Sequence, residues 1–198
     1  MSFELLLALI VFVLVISTTP GPNNLMLLAS GVNYGFRRSL PHILGICFGF
    51  GFMILVIGLG LGRLFVAYPI TYQILRYGGG AYMVWLAWQI ANSGPINSEH
   101  STKNPMTFIQ AALFQWVNPK AWIMAISSIA TYTPSTGELT PLVILSVVFA
   151  VFCFPSISLW VLGGTVLRQY LNNARFLRIF NIVMAMLLVA SMAPLLWH

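Results

Sequence analysis

Apolar runs of about the length needed to cross a bilayer recur along this chain, separated by short polar stretches. Uncharged intervals run Leu5–Phe36, Ser39–Gly62, Tyr77–Ser98, Asn104–Pro119, Ala121–Gly137, Leu139–Leu167 and Ile179–His198. A membrane helix needs about 20 mostly apolar residues, so the pattern predicts six spans, roughly 3–30, 41–64, 70–92, 106–131, 141–166 and 176–197. The fourth fits only if Lys120 lies inside it. Two spans carry interruptions: "TPGPNN" at Thr19–Asn24 and "VNPK" at Val117–Lys120.

Proline removes a backbone donor and glycine weakens a helix, so neither interruption suits a helix facing lipid. The first is either a loop at the membrane surface or a break inside the membrane. Length favours the break. Glu4 to Phe36 is more chain than one straight span needs at about 1.5 Å per residue, and two half-helices meeting inside the bilayer would use it. Backbone groups and helix-end dipoles freed at such a break can meet ligand charges if they face protein or a cavity.

Composition supports the same class. The chain has 198 residues, 59% of them hydrophobic and 6% charged, against roughly 25% charged in soluble domains. The expected fold is an all-α integral membrane protein, sitting in a lipid bilayer. Lys and Arg in short loops set orientation. Arg37, Arg38, Lys103, Arg168, Arg175 and Arg178 fall on one side, which is expected to be cytoplasmic; Arg63 and Arg76, with Glu4 and Glu138, fall on the other, along with both termini. The net charge of +6 is thus mainly a topology signal, and its dispersal among apolar spans argues for no nucleic-acid partner. The start of the chain has no basic n-region and carries Glu4, which does not fit a cleavable signal peptide. Two cysteines, Cys47 and Cys153, and three dispersed histidines offer no metal-ligand spacing; no metal and no cofactor are expected.

The polar stretch 93–105 is a cytoplasmic linker in this reading, dividing the single membrane domain 1–198 into repeats 1–92 and 106–198. Three spans per half makes the halves inverted relative to each other, an architecture that in transporters places the binding site near the midplane on broken helices. The first span of each half carries the proline–asparagine interruption.

Lys120 is the most informative residue. A lysine at a span centre costs about 2.5–3.5 kcal/mol on insertion scales, so it should face a partner or a cavity. No Asp or Glu lies near the bilayer interior to pair with it; Asn23, Asn24, Asn118, the carbonyls of a broken helix or a substrate carboxylate could. It is read as handling substrate or a proton, with a purely structural tie between the breaks as the alternative. Gly45, Gly49, Gly58 and Gly62 have the spacing of close helix packing, within the chain or in a homodimer. Tyr82, in "YGGGAYMVWLAW", is a candidate cavity residue, Trp85, Trp88 and Trp197 suit interfaces, and His42 is expected as a solvated histidine at the cytoplasmic edge.

The chain resembles the lysine exporter/homoserine–threonine exporter (LysE/RhtB) superfamily along essentially its whole length. The resemblance rests on "TPGPN" at Thr19–Asn23, "GFRRSLP" with following glycines from Gly35 to Gly49, "GGGAYMVWLAW" at Gly78–Trp88 and "VNPKAW" at Val117–Trp122, in that order. It implies six helices in the bacterial cytoplasmic (inner) membrane and proton-driven efflux of small amino acids rather than enzymatic activity. By position it implies a midplane site of Pro20, Gly21, Pro22, Asn23, Asn118, Pro119 and Lys120. With no carboxylate in the membrane, the chain looks more like the branch exporting neutral amino acids such as threonine, homoserine, leucine, cysteine or O-acetylserine. The rival readings are a membrane thiol oxidoreductase, requiring Cys47 and Cys153 close together, and an ion transporter or channel, which would want carboxylate ligands.

Overall fold

A computed structural model describes residues 1–61, 69–93, 104–133, 139–171 and 173–191. The linker residues 94–103, Arg63, Glu138 and the end of the chain with Trp197 lie outside the described residues. The regular elements of the described residues are all helices, in the order α1 (Phe3–Thr18), α2 (Pro22–Tyr34), α3 (Phe36–Val56), α4 (Pro69–Ala91), α5 (Phe108–Phe114), α6 (Pro119–Tyr132), α7 (Leu139–Arg168) and α8 (Ala174–Ala190). A π-helical turn, Ile57–Leu61, extends α3, and a 3-10 turn, Gln115–Val117, joins α5 towards α6.

Phe36–Gly60 and Leu139–Arg168 are each long and apolar enough to cross a membrane, and α1 with α2 makes a third such unit bent by 62°. Rods of roughly 24 and 20 Å meeting at that angle reach roughly 38 Å end to end. That length fits between the hydrocarbon core of about 30 Å and the full bilayer of about 40–45 Å. The remaining helices pack onto these.

The fold turns large apolar side chains outward and buries several polar amides among an otherwise apolar core. Val11, Phe52 and Val151 are 52%, 59% and 56% exposed, while Asn24, Asn33, Gln115, Asn118 and Asn181 are buried. Water would penalise such an outer face, whereas lipid would not. Inside, α2 runs through the middle with most of its residues buried, packed along α7 and against α3 and α8. The α2–α7 crossing is backbone on backbone: a methyl group added at Gly31 would strike the Val161 carbonyl, and one at Gly164 the Leu28 carbonyl. Gly45 and Gly49 give α5 the same close approach to α3, beside Phe108, Ala111 and Ala112.

One boundary differs from expectation. No polar loop separates the first two spans; the connector shrinks to Gly35, whose φ of 78° lies in the left-handed region that glycine enters without a Cβ penalty. Helix α3 begins at once and runs through Pro41, near its start, where the exposed Arg37 can meet water with the carbonyl that proline leaves unpaired.

Candidate functional site at the two helix breaks

At the first break, helix α1 stops at Thr18 because Pro20 and Pro22 supply no amide hydrogen. Its last carbonyls would be orphaned in an apolar setting, yet each from Ile16 to Pro20 has a donor. The Ile16 carbonyl accepts from the Thr19 amide and hydroxyl. Asn24 Nδ2 donates to the Ser17 carbonyl (2.7 Å) and the Thr19 carbonyl (2.8 Å), and Trp160 Nε1 to the Thr18 carbonyl (3.0 Å). Lys120 Nζ donates to the Thr19 carbonyl (2.7 Å), the Thr19 hydroxyl (2.7 Å) and the Pro20 carbonyl (3.3 Å). An ammonium at a helix C-terminus also complements the helix dipole.

Across the same break α2 starts with Pro22 at its first position, and its N-cap Gly21 offers no side chain to cap the first amides. Gly21 is needed for close approach: a Cβ there would lie 2.7 Å from Lys120 Cδ. Its φ of 175° is ordinary extended backbone, so contact rather than strain selects glycine.

The second break differs in its cap. Asn118 Oδ1 accepts from the Lys120 amide at 3.1 Å, closing the N-terminus of α6, with Pro119 again first in the helix. Gln115, in the 3-10 turn, exchanges amide hydrogen bonds with Asn23: Asn23 Nδ2 donates to Gln115 Oε1 at 2.8 Å, and Gln115 Nε2 to Asn23 Oδ1 at 3.3 Å. The two breaks therefore touch through Lys120–Thr19/Pro20 and Asn23–Gln115.

Between them lies a cavity of about 30 Å³, lined by Ser17, Gly21, Asn23, Asn24, Asn118 and Lys120 among others. That is room for about one or two water molecules, not an amino acid. Pro20, Pro22 and Pro119 shape the breaks without lining it. Tyr82 is not brought here; it stacks with Trp85 (5.4 Å between centroids) and packs against Phe114 (6.3 Å) in a cluster with Met26 and Met83. Sequence reasoning missed Gln115, although an amide standing alone in the apolar stretch "AALFQWV" was the available signal. It also missed Ser17 and Cys153 in the cavity wall.

Cys47 of α3 and Cys153 of α7 are free, buried, and neighbours in one apolar cluster with Leu27, Ile46 and Ile157. The proximity that the thiol reading requires is thus present. His42 departs from expectation altogether. It is 2% exposed rather than solvated, because the early start of α3 draws it into the bundle beneath α2.

A break whose carbonyls are all satisfied from within, facing a second break through a half-buried cation, inside helices that turn apolar faces outward, fits a membrane translocator. The chain belongs to the LysE type translocator family, whose model matches residues 14–196. It is 34% identical over 191 residues, 96% of each chain, to the cysteine/O-acetylserine efflux protein of Escherichia coli (strain K12) and, equally, to that of Shigella sonnei (strain Ss046). The protein of the same name from Escherichia coli O139:H28 is 33% identical over the same span. No solved structure matches. A translocator of this family is not an enzyme, which removes thiol oxidoreductase chemistry as the main reading.

Proposed function

We propose that this protein exports small neutral amino acids of the cysteine/O-acetylserine type from the cytoplasm, driven by the proton gradient. The reading assigns six spans in two inverted repeats, breaks near the bilayer midplane, the Arg37 side to the cytoplasm and both termini to the outside. The observation that carries it is the placement of Lys120 beside the uncapped N-terminus of α2, in one cavity with Asn23 and Asn118. A cation and free helix-start amides together favour a carboxylate. Carbonyls at the end of α1 favour an ammonium group, so a zwitterion finds both its partners across one break.

The cavity is too small for that zwitterion, so this conformation is closed around the site. Binding requires the halves to part and Lys120 to exchange a bond. The 3.3 Å contact with Pro20 is the longest of its three and the first to give. Rocking then exposes the cavity on the far side. The similarity to cysteine/O-acetylserine efflux proteins supports the substrate class, and the one acidic residue of the described helices, Glu4, is exposed in the first turn of α1 away from the cavity, which argues against cationic amino acids.

The test is amino-acid profiling of the medium of cells expressing the wild type, Lys120→Ala, Cys47→Ala or an empty vector. The expected result is accumulation of cysteine, O-acetylserine or another neutral amino acid with the wild type and Cys47→Ala only. Equal profiles in all four would reject amino-acid efflux. Loss of export in Cys47→Ala, with the protein still present in the membrane, would bring the thiol pair into the mechanism.

A further inference from the structure

A second cavity, of about 50 Å³, lies farther along α2 from the break. It is walled by Ser30, Asn33 and Tyr34 of α2, His42 of α3, Gln89 of α4, and Ser93 and Asn104 beyond the helix ends, with apolar residues between them. From Asn23 in the first cavity to Ser30 in the second is roughly 10 Å along the helix. Both ring nitrogens of His42 are buried without a hydrogen-bond partner, although polar groups line the space around it. Several of the neighbouring polar groups are already engaged. Ser30 and Ser39 share a hydrogen bond (2.7 Å), Asn33 and Asn181 exchange amide bonds (2.8 and 3.1 Å), Asn181 also donates to the Ser93 carbonyl, and Arg38 donates to Asn104 (2.9 Å).

An imidazole that its surroundings neither pair nor expose costs stability, and the cavity is large enough for about one or two waters. Histidine is also the side chain whose ordinary titration falls near neutral pH. Among the described residues the one acidic side chain, Glu4, is exposed at the start of α1, and the Lys120 ammonium is held by three oxygens at the break. We infer that His42 is the proton-carrying station of the transport cycle: its free ring nitrogen takes up a proton through water in this cavity and releases it to the cytoplasmic side as the amino acid leaves. This rests on the export reading above. The charged and titratable groups around it are Tyr34 of α2, lining the cavity, and on its own helix Arg38, whose guanidinium stands 5.7 Å from the Tyr34 ring, and Cys47. The wall residues from α4 are uncharged, and α7 carries Cys153, in the adjoining cluster, and Arg168, whose guanidinium stands beside Gly35 at the start of α3.

The experiment uses the purified full chain in proteoliposomes with radiolabelled O-acetylserine. Two fluxes are compared, exchange of labelled for unlabelled substrate with no gradient and uptake driven by an imposed pH difference, for the wild type, His42→Gln and His42→Asn. The expected result is that gradient-driven flux falls by about tenfold or more in both variants, with its dependence on pH flattened, while exchange through them continues. Gradient-driven flux matching the wild type in either variant overturns the inference and leaves export standing. Loss of exchange together with driven flux in both variants also overturns it, because His42 would then serve the fold or the substrate site. A wild type that exchanges but ignores the gradient rejects proton coupling and the inference with it. A wild type that does not exchange O-acetylserine rejects the substrate reading as well.

Discussion

The two breaks look alike in sequence and do opposite work. Each puts proline first in the half-helix that follows, after Gly21 in one case and Asn118 in the other. Asn118 spends its side chain on its own helix, accepting the Lys120 amide, so the second break is closed at its helix start. Gly21 has nothing to spend, and the amides of the first break stay open. In return the second break projects a cation into the carbonyls of the first. One interruption thus presents acceptor carbonyls and the other a donor, and this asymmetry would give the proposed zwitterion site its direction.

The sharpest way to break this comparison is Lys120→Ala. It leaves the Pro20 carbonyl without its donor and strips two bonds from Thr19. Export should drop about 100-fold, equivalent to roughly 3 kcal/mol, and the melting temperature of the detergent-purified protein should fall with it. Retained export with unchanged pH dependence would remove Lys120 from the mechanism. Gly21→Ala should have a smaller effect, about 1–2 kcal/mol or about tenfold in export rate, since the new methyl displaces only a flexible lysine side chain. Wild-type export by Gly21→Ala would mean that the approach of Lys120 to α2 does not matter. The mildest should be Asn118→Ala, about 1 kcal/mol of cap stability seen in thermal unfolding, with export within about threefold of wild type. A loss as deep as that of Lys120→Ala would make the two breaks equivalent.

Much of this was readable from residue order. The interruptions announced themselves because proline and glycine disrupt helices by covalent geometry, a local property that the chain carries with it. Lys120 was conspicuous because a cation inside an apolar span requires a partner. What stayed hidden depended on which helices meet. Nothing local says that Asn23 would find Gln115, 92 positions away, or that Asn33 would pair with Asn181. Whether Cys47 and Cys153 lie close together, as the thiol reading required, depended on α3 meeting α7. His42 was misplaced for a nearer reason. Arg37, Arg38 and Pro41 look like a surface loop, but a single left-handed glycine turns the chain instead, and α3 carries the histidine inward.

The crossing at Gly31 and Gly164 also constrains how this sequence can drift. A side chain that clashes with another side chain can be rescued by shrinking its neighbour. The obstacle at these two positions is a peptide carbonyl, which every amino acid carries and no substitution can trim. The two glycines sit in opposite halves of the chain, so each half holds a residue that only the other half explains. A lineage evolving from this protein can retune its cavity one residue at a time, but it cannot enlarge either glycine without prising α2 from α7.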